Sequence, residues 1–217
     1  MVEGSAAEKD LLNWRRYRGR MGEDAKRTPV YKMKLSGPVP DKLTVYPKNL
    51  RTGTASRGEA LLRGHWNIGR DRLDVGQKMP PWSRSGPSRH YADRLHRFQW
   101  LNDLIAHSPE GQRFGRDLIT DWVQQFGKWN GFVWRIPVTA ERVWNWLVGG
   151  PNFLENRAPE SEVLASLARQ ARHLQFGTPD CDEPRAVLKS LFAQMAYAFA
   201  AEEGDRRIAG LESQIEF

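Results

Sequence analysis

The chain is short of the residues that most chemistry is built from. It has one cysteine, Cys181, so it can form no internal disulfide and no cysteine-rich zinc site. Its five histidines, His65, His90, His96, His107 and His173, include no pair at i and i+4 and no His-Glu-x-x-His, so no metal is expected. No Gly-x-Ser-x-Gly, Walker-type or dinucleotide-binding loop occurs, and Gly127 to Gly131 is too sparse to cradle a phosphate; no cofactor is expected. No apolar run approaches the ~18 residues needed to span a bilayer. The opening residues MVEGSAAEKDLL lack a basic segment followed by an apolar one, so the chain as written reads as cytoplasmic.

Aromatic residues and arginine are abundant. Nine tryptophans and a hydrophobic fraction of 40% in 217 residues argue for a sizeable folded core. The net charge of +7 conceals an asymmetry: residues 1–100 carry 21 Lys and Arg against 10 Asp and Glu, and residues 101–217 carry 12 against 16. The front half should therefore attract a polyanion, and its arginines suit bidentate contact with carboxylate, sulfate or phosphate.

Three segments are expected. Residues 1–34 read as a basic N-terminal helix and arm, with Leu11, Leu12 and Trp14 as the apolar positions of a helix over 6–20. The prolines between Gly22 and Thr54 predict an extended arm. Residues 35–87 continue that arm into a short helix around Leu61 and Leu62. A β-hairpin follows, pairing Trp66-Asn67-Ile68 with Leu73-Asp74-Val75 across Gly69-Arg70-Asp71-Arg72. Residues 88–217 are helical. Ser88 is an N-cap, and Tyr91, Leu95, Phe98, Leu101 and Ile105 recur at helical spacing. Phe114, Leu118, Trp122 and Phe126 mark the next helix, which Gly127 ends; Leu167, Ala171 and Leu174 mark a later one, closed at Gly177. From Ala186 to Ala201 the chain is apolar nearly all round, which predicts a helix covered on more than one face, with too few partners left to cover it. Short loops between such helices imply antiparallel helical hairpins. The fold class is mainly α: an incomplete α/α toroid or irregular bundle with a small extended and β-hairpin front segment.

Trp134 to Leu154 is the stretch richest in candidate site residues. Thr139 reads as a helix N-cap with Glu141 in the first turn, where the helix dipole favours an anion. Val143, Trp146 and Leu147 form a buried face. Arg142 and Asn145, one turn apart, could reach into a cleft edged by Trp146. Trp129 and Trp134, in a loop beside Arg135, are the better aromatic ligand platforms, because Trp100, Trp122 and Trp146 fall at core spacing. His90, Tyr91 and His96 resemble an acid–base group, but Tyr91 heads a buried stripe; a core tyrosine with surface histidines is the preferred reading.

These residues also carry a resemblance. Tyr46-Pro47 with Leu50-Arg51, Pro87-Ser88, Leu95-His96-Arg97-Phe98-Gln99-Trp100-Leu101 and Arg142 to Leu147 occur in the order seen in alphaproteobacterial heparinase II/III-like proteins, and the likeness extends over roughly residues 33–217. It implies an α/α toroid followed by a β-sandwich, and eliminative cleavage of acidic polysaccharides such as glycosaminoglycans. Arg142, Asn145, Trp146, Trp134, Arg135 and Trp129 would then face an acidic sugar. The family's Gly-Gly-His segment and β-sandwich would follow Leu211-Glu212-Ser213-Gln214-Ile215, whereas this chain stops at Glu216-Phe217, and Asp182-Glu183-Pro184-Arg185 stands where other branches carry Asn-His. The expectation is the toroid part of a polysaccharide lyase, with no catalytic residue of its own and only latent affinity for an acidic polysaccharide. Self-association through an exposed apolar helix face is a further expectation. Two rival readings are a basic nucleic-acid-binding protein, which no helix-turn-helix, RNA-recognition or zinc pattern supports, and an interaction module completed by a partner chain.

Overall fold

A computed structural model describes residues 29–155 and 161–201. The helix expected over 6–20 lies outside them. The chain divides into two units, Met1–Gly37 and Pro38–Phe217. In the first, helix α1 (Pro29–Leu35) stands where an extended arm was expected. Pro29 is at the start of that helix, where a missing N–H costs nothing, and Ser36 Oγ donates to the Lys32 carbonyl at 3.0 Å to close its end.

In the second unit the chain from Pro38 to Thr54 has no regular structure, as the prolines predict. It is tied down at its start and again at Thr44. Arg172 Nη1 donates to the Pro38 carbonyl at 2.9 Å, and the Thr44 amide donates to the Ala200 carbonyl at 2.9 Å. Helix α2 (Ala55–Leu62) leads into the hairpin of β1 (His65–Ile68) and β2 (Asp71–Asp74). The register pairs His65 with Asp74, Trp66 with Leu73, Asn67 with Arg72 and Ile68 with Asp71. The turn is thus two residues, Gly69-Arg70, shorter than the four expected. Gly69, at φ +67°, supplies the positive φ that the first central position of such a turn requires.

The remaining helices are α3 (Arg89–Leu95), α4 (Leu101–His107), α5 (Pro109–Phe126), α6 (Ile136–Val148), the single turn α7 (Gly150–Phe153), α8 (Glu162–Gly177) and α9 (Pro184–Ala200). The described residues are mainly helical with one two-stranded sheet. Ser88 caps α3 as expected, its Oγ accepting from the Tyr91 amide at 3.0 Å. Ser108 and Ser161 cap α5 and α8 in the same way. The stripe from Tyr91 to Ile105 does not form one helix. It breaks at Phe98, whose φ of +60° is a conformation that a bulky side chain rarely adopts. The break turns Phe98 into the centre of the aromatic core, where it meets Trp146 at 5.4 Å and Trp122 at 5.8 Å, both edge to face, while Trp122 meets Trp146 at 5.5 Å. Such pairs add roughly 0.5–1.5 kcal/mol each beyond their buried area, enough to hold one strained residue.

Helix α6 lies at the centre of the packing, against both α8 and α9. Arg142 reaches Gln170 while Gly177 sits against Ile136, so α6 and α8 run antiparallel. Glu141 meets Lys189, and Trp144 and Asn145 share a groove with Phe192 one turn further on, so α6 and α9 advance side by side in the same direction. The expectation for α9 is met on one side only. Ala186, Ala193, Tyr197 and Ala200 are buried, whereas Leu188, Phe192 and Phe199 form an exposed apolar stripe at 46%, 46% and 49% exposure.

Candidate functional site

Local sequence places the α6 residues differently from the reading above. Ile136-Pro137 opens the helix, because proline is tolerated in a first turn, so Thr139 lies inside it and is not its cap. Thr139 Oγ1 instead accepts from Arg142 Nη2 at 3.2 Å. Arg142 does not open onto a cleft. It is 0% exposed, and its Nε donates to Gln170 Oε1 at 2.6 Å. Its Nη1 donates to the carbonyls of Val133 at 2.8 Å and His96 at 3.2 Å. The guanidinium carbon stands 4.2 Å from the Trp122 ring centroid. Burial holds the Arg142 guanidinium well below its ordinary pKa. Neutral acceptors and an aromatic face thus offset the desolvation of a cation that would otherwise be costly to bury.

The other sequence candidates scatter. Trp134 is buried, its Nε1 donating to the Phe126 carbonyl at 2.9 Å and its ring set edge-on to His173. Trp146 is buried in the aromatic core. Asn145 Nδ2 donates to the Arg97 carbonyl at 2.8 Å, which ties α6 to the turn after α3. Arg135 pairs with Asp93 and covers the Phe132 ring at 4.9 Å. Trp129 stays half-buried in its loop. Asn145 and Arg142 are therefore neighbours in sequence that face different surroundings, and the six candidates do not converge on one opening.

Two features escaped the sequence reading. One is a ladder of alternating charge: Lys189 and Arg97 both bind Glu141, Arg97 also binds Asp93 at 2.6 Å, and Asp93 binds Arg135. Gln99 Nε2 adds a bond to Glu141 at 2.5 Å. Burial pulls the Arg97 pKa down, but Glu141 and Asp93 outweigh it and raise it. The other is His96, expected at the surface but buried. Its Nδ1 accepts from Trp122 Nε1 at 3.0 Å, so the ring is neutral with its proton on Nε2. Burial, helped by the nearby Arg142 cation and opposed by Asp93, lowers its pKa to about 3. No i, i+3 or i, i+4 spacing links residues 96, 122 and 142, which is why the sequence is silent on their meeting.

The open surface lies beside this ladder. A groove of about 400 Å³ is lined by Ala140, Glu141, Trp144 and Asn145 from α6 and Lys189 and Phe192 from α9, with Arg51 and Gln99 at its rim. Trp144 is 38% exposed there. Its side chain sits one position around the helix from the buried Val143 face, a placement that a core-or-ligand choice among tryptophans does not anticipate. Among the described residues no group of three or more His, Cys, Asp or Glu could hold a metal ion, and no helix is long and apolar enough to cross a membrane.

What the fold and its site define is a helical scaffold whose buried charges are internally satisfied and which carries a shallow, largely apolar groove among its accessible features. No family model matches the chain, and no solved structure does. The chain is similar to FtsZ-localized protein C of Caulobacter vibrioides (strain NA1000 / CB15N), at 37% identity over 166 residues, 74% of this chain. It spans 29% of the length of that relative. This similarity overturns the expectation of a polysaccharide-lyase portion acting on or binding glycosaminoglycan-like polymers: the relative is named for its localization with FtsZ. The burial of Arg142, Trp134 and Trp146 removes the physical basis of that expectation as well, since an acidic sugar could not reach them.

Proposed function

We propose that the chain is a protein-docking module of a cell-division protein and works where FtsZ assembles. The observation that carries this reading is the 37% identity to FtsZ-localized protein C across three-quarters of the chain. The groove between α6 and α9, with Trp144 and Phe192 as apolar anchors and Lys189 and Arg51 at its edge, is the surface through which it docks. Aromatic anchors in a shallow recess with a polar rim are what interfaces of this kind concentrate their binding energy in.

We further read α6, α8 and α9 as an arc of an α/α toroid. Two parallel helices, with an antiparallel third packed on both, form the repeating unit of inner and outer layers, and the ordered motifs shared with heparinase II/III-like proteins support this architecture without their chemistry. An experimental structure of the longer protein tests it: a closed double ring of helices is expected, and an open bundle would overturn it.

The functional reading is tested in cells carrying a fluorescent fusion of the chain. A mid-cell band that disperses when FtsZ is depleted is expected, and it should fade in the Trp144→Ser, Phe192→Glu double variant while the circular dichroism of the purified variant stays native. A diffuse signal from the correctly folded wild-type fusion, with FtsZ rings present, would overturn it.

A further inference from the structure

A second recess adjoins the α6–α9 groove, sharing Arg51 and Gln99 with it, and lies between α2, the hairpin and the turn that joins α3 to α4. It encloses about 300 Å³ and is lined mostly by polar groups, including Arg51, Arg57, Arg94, Asn67, Asn102 and Asp103. Three guanidinium groups thus edge one small cavity with one carboxylate among them. That carboxylate is already committed: Asp103 is buried, accepts from the Thr54 amide at 2.8 Å and stands 3.7 Å from Arg57 Nε. Arg51 and Arg94 side chains have no hydrogen-bond or ion-pair partner among the described residues. Like charges brought together around a concavity focus a positive potential there, and the arrangement is relieved by an anion.

The walls are set by close backbone approaches. Gly58 lets α2 cross α4 so closely that a Cβ on it would stand 2.2 Å from the Asp103 carbonyl oxygen, and Gly53 lies still nearer the Asn102 carbonyl. Gly69 in the hairpin turn leaves room for the Arg94 guanidinium, whose Nη1 would be 2.8 Å from a Cβ at that position. Asn102 is held by Asn49 Nδ2 at 2.9 Å. The cations therefore project from a rigid frame, on three different segments.

We propose that this recess binds a small phosphate-bearing compound, a phosphomonoester or diphosphate. Guanidinium groups donate in pairs to tetrahedral oxyanions, and three of them converging from separate segments match the several oxygens of a phosphoryl group better than the two of a single carboxylate. The neutral amides of Asn67 and Asn102 supply further polar contacts at the cavity wall. The recess is larger than one phosphate needs, so the ligand carries a second phosphoryl or a small polar body. This assignment is independent of the FtsZ-linked reading, because none of its cationic residues except Arg51 borders the α6–α9 groove.

The test is calorimetric titration of the whole chain with inorganic pyrophosphate at fixed ionic strength, with sodium chloride as the matched control. Saturable one-site binding is expected. Arg94→Gln and Arg57→Gln should each weaken it about tenfold or more, since each removes charge-assisted hydrogen bonds. Arg185→Gln, on the exposed start of α9, should leave it unchanged. Arg57 and Arg94 are both exposed, and unaltered melting of the variants confirms that they fold. Absence of saturable binding overturns the proposal, as does binding that Arg185→Gln weakens as much as Arg94→Gln. Capture on anionic vesicles without pyrophosphate binding overturns the assignment to a small compound.

Discussion

The guanidinium of Arg142 lies 4.2 Å over the Trp122 ring, and Trp122 in turn donates its Nε1 hydrogen to the His96 ring. A buried cation, an aromatic face and a neutral imidazole thus form one stack, in which Arg142 also holds the His96 carbonyl. Among the described residues no carboxylate accepts a hydrogen bond from this arginine. The relation makes Arg142 a structural tie between α6, α8 and the turn before Phe98.

Removing that tie strands its acceptors. Arg142→Ala leaves Gln170, Thr139 and two carbonyls unsatisfied and opens a cavity, and it should cost about 3–5 kcal/mol. Arg142→Lys keeps the charge but cannot reach Gln170, Val133 and His96 together, and it should cost about 2–3 kcal/mol. Urea unfolding followed by tryptophan fluorescence measures both; a change under 1 kcal/mol for either would refute the role.

Acid should act through His96. Its pKa in the folded state, about 3, lies below the ordinary 6.5, so in between the unfolded chain takes up a proton that the folded chain refuses. Stability from this group is full above the ordinary value and falls as the pH drops from about 6.5 toward 3, by a few kcal/mol in all. His96→Gln should flatten the difference between unfolding midpoints measured at pH 7 and pH 5. An unchanged difference would remove His96 as its source.

Phe98 offers a contrast between strain and packing. Phe98→Ala deletes the centre of the aromatic core yet retains a side chain at φ +60°, and should cost about 3–5 kcal/mol. Phe98→Gly deletes the same ring but relieves the backbone, so it should be no worse than alanine, reversing the ordinary penalty of about 1 kcal/mol for glycine. Thermal unfolding of the pair decides it: glycine clearly below alanine would show that the turn stores no strain.

The charge ladder should respond unequally at two adjacent members, Glu141 and Lys189. Glu141 is buried and accepts from Arg97, Gln99 and Lys189, so Glu141→Gln should cost about 2–4 kcal/mol. Lys189 is half-exposed, and Lys189→Ala should cost under about 1 kcal/mol. Equal losses would mean that the ion pair to Lys189, and not the burial of Glu141, dominates.

The helices of the second half were legible because each carries its own signals. Ser88 ahead of Tyr91, and the four-residue repeat from Phe114 to Phe126, need no tertiary information. The break at Phe98 was not legible, since a stripe of apolar residues at helical spacing says nothing about a residue forced to positive φ by rings brought from α5 and α6. Arg142 misled for a related reason. A charged residue beside tryptophans reads as a binding pair until Gln170, 28 residues away, is seen to take its Nε hydrogen. The motifs that suggested a heparinase II/III-like family follow the same logic: Trp100, Phe98 and Arg142 are buried in the packing of the helices and are silent on chemistry. Leu50, within one of those motifs, is almost wholly exposed.

The bond from the Thr44 amide to the Ala200 carbonyl closes a loop of 156 residues with a single backbone hydrogen bond. A closure of that length carries a large entropy cost, and it can form only after the helices between have brought their ends together. In pulsed hydrogen exchange during refolding, the Thr44 amide should therefore be among the last to gain protection, making this bond a natural clock for completion of the fold.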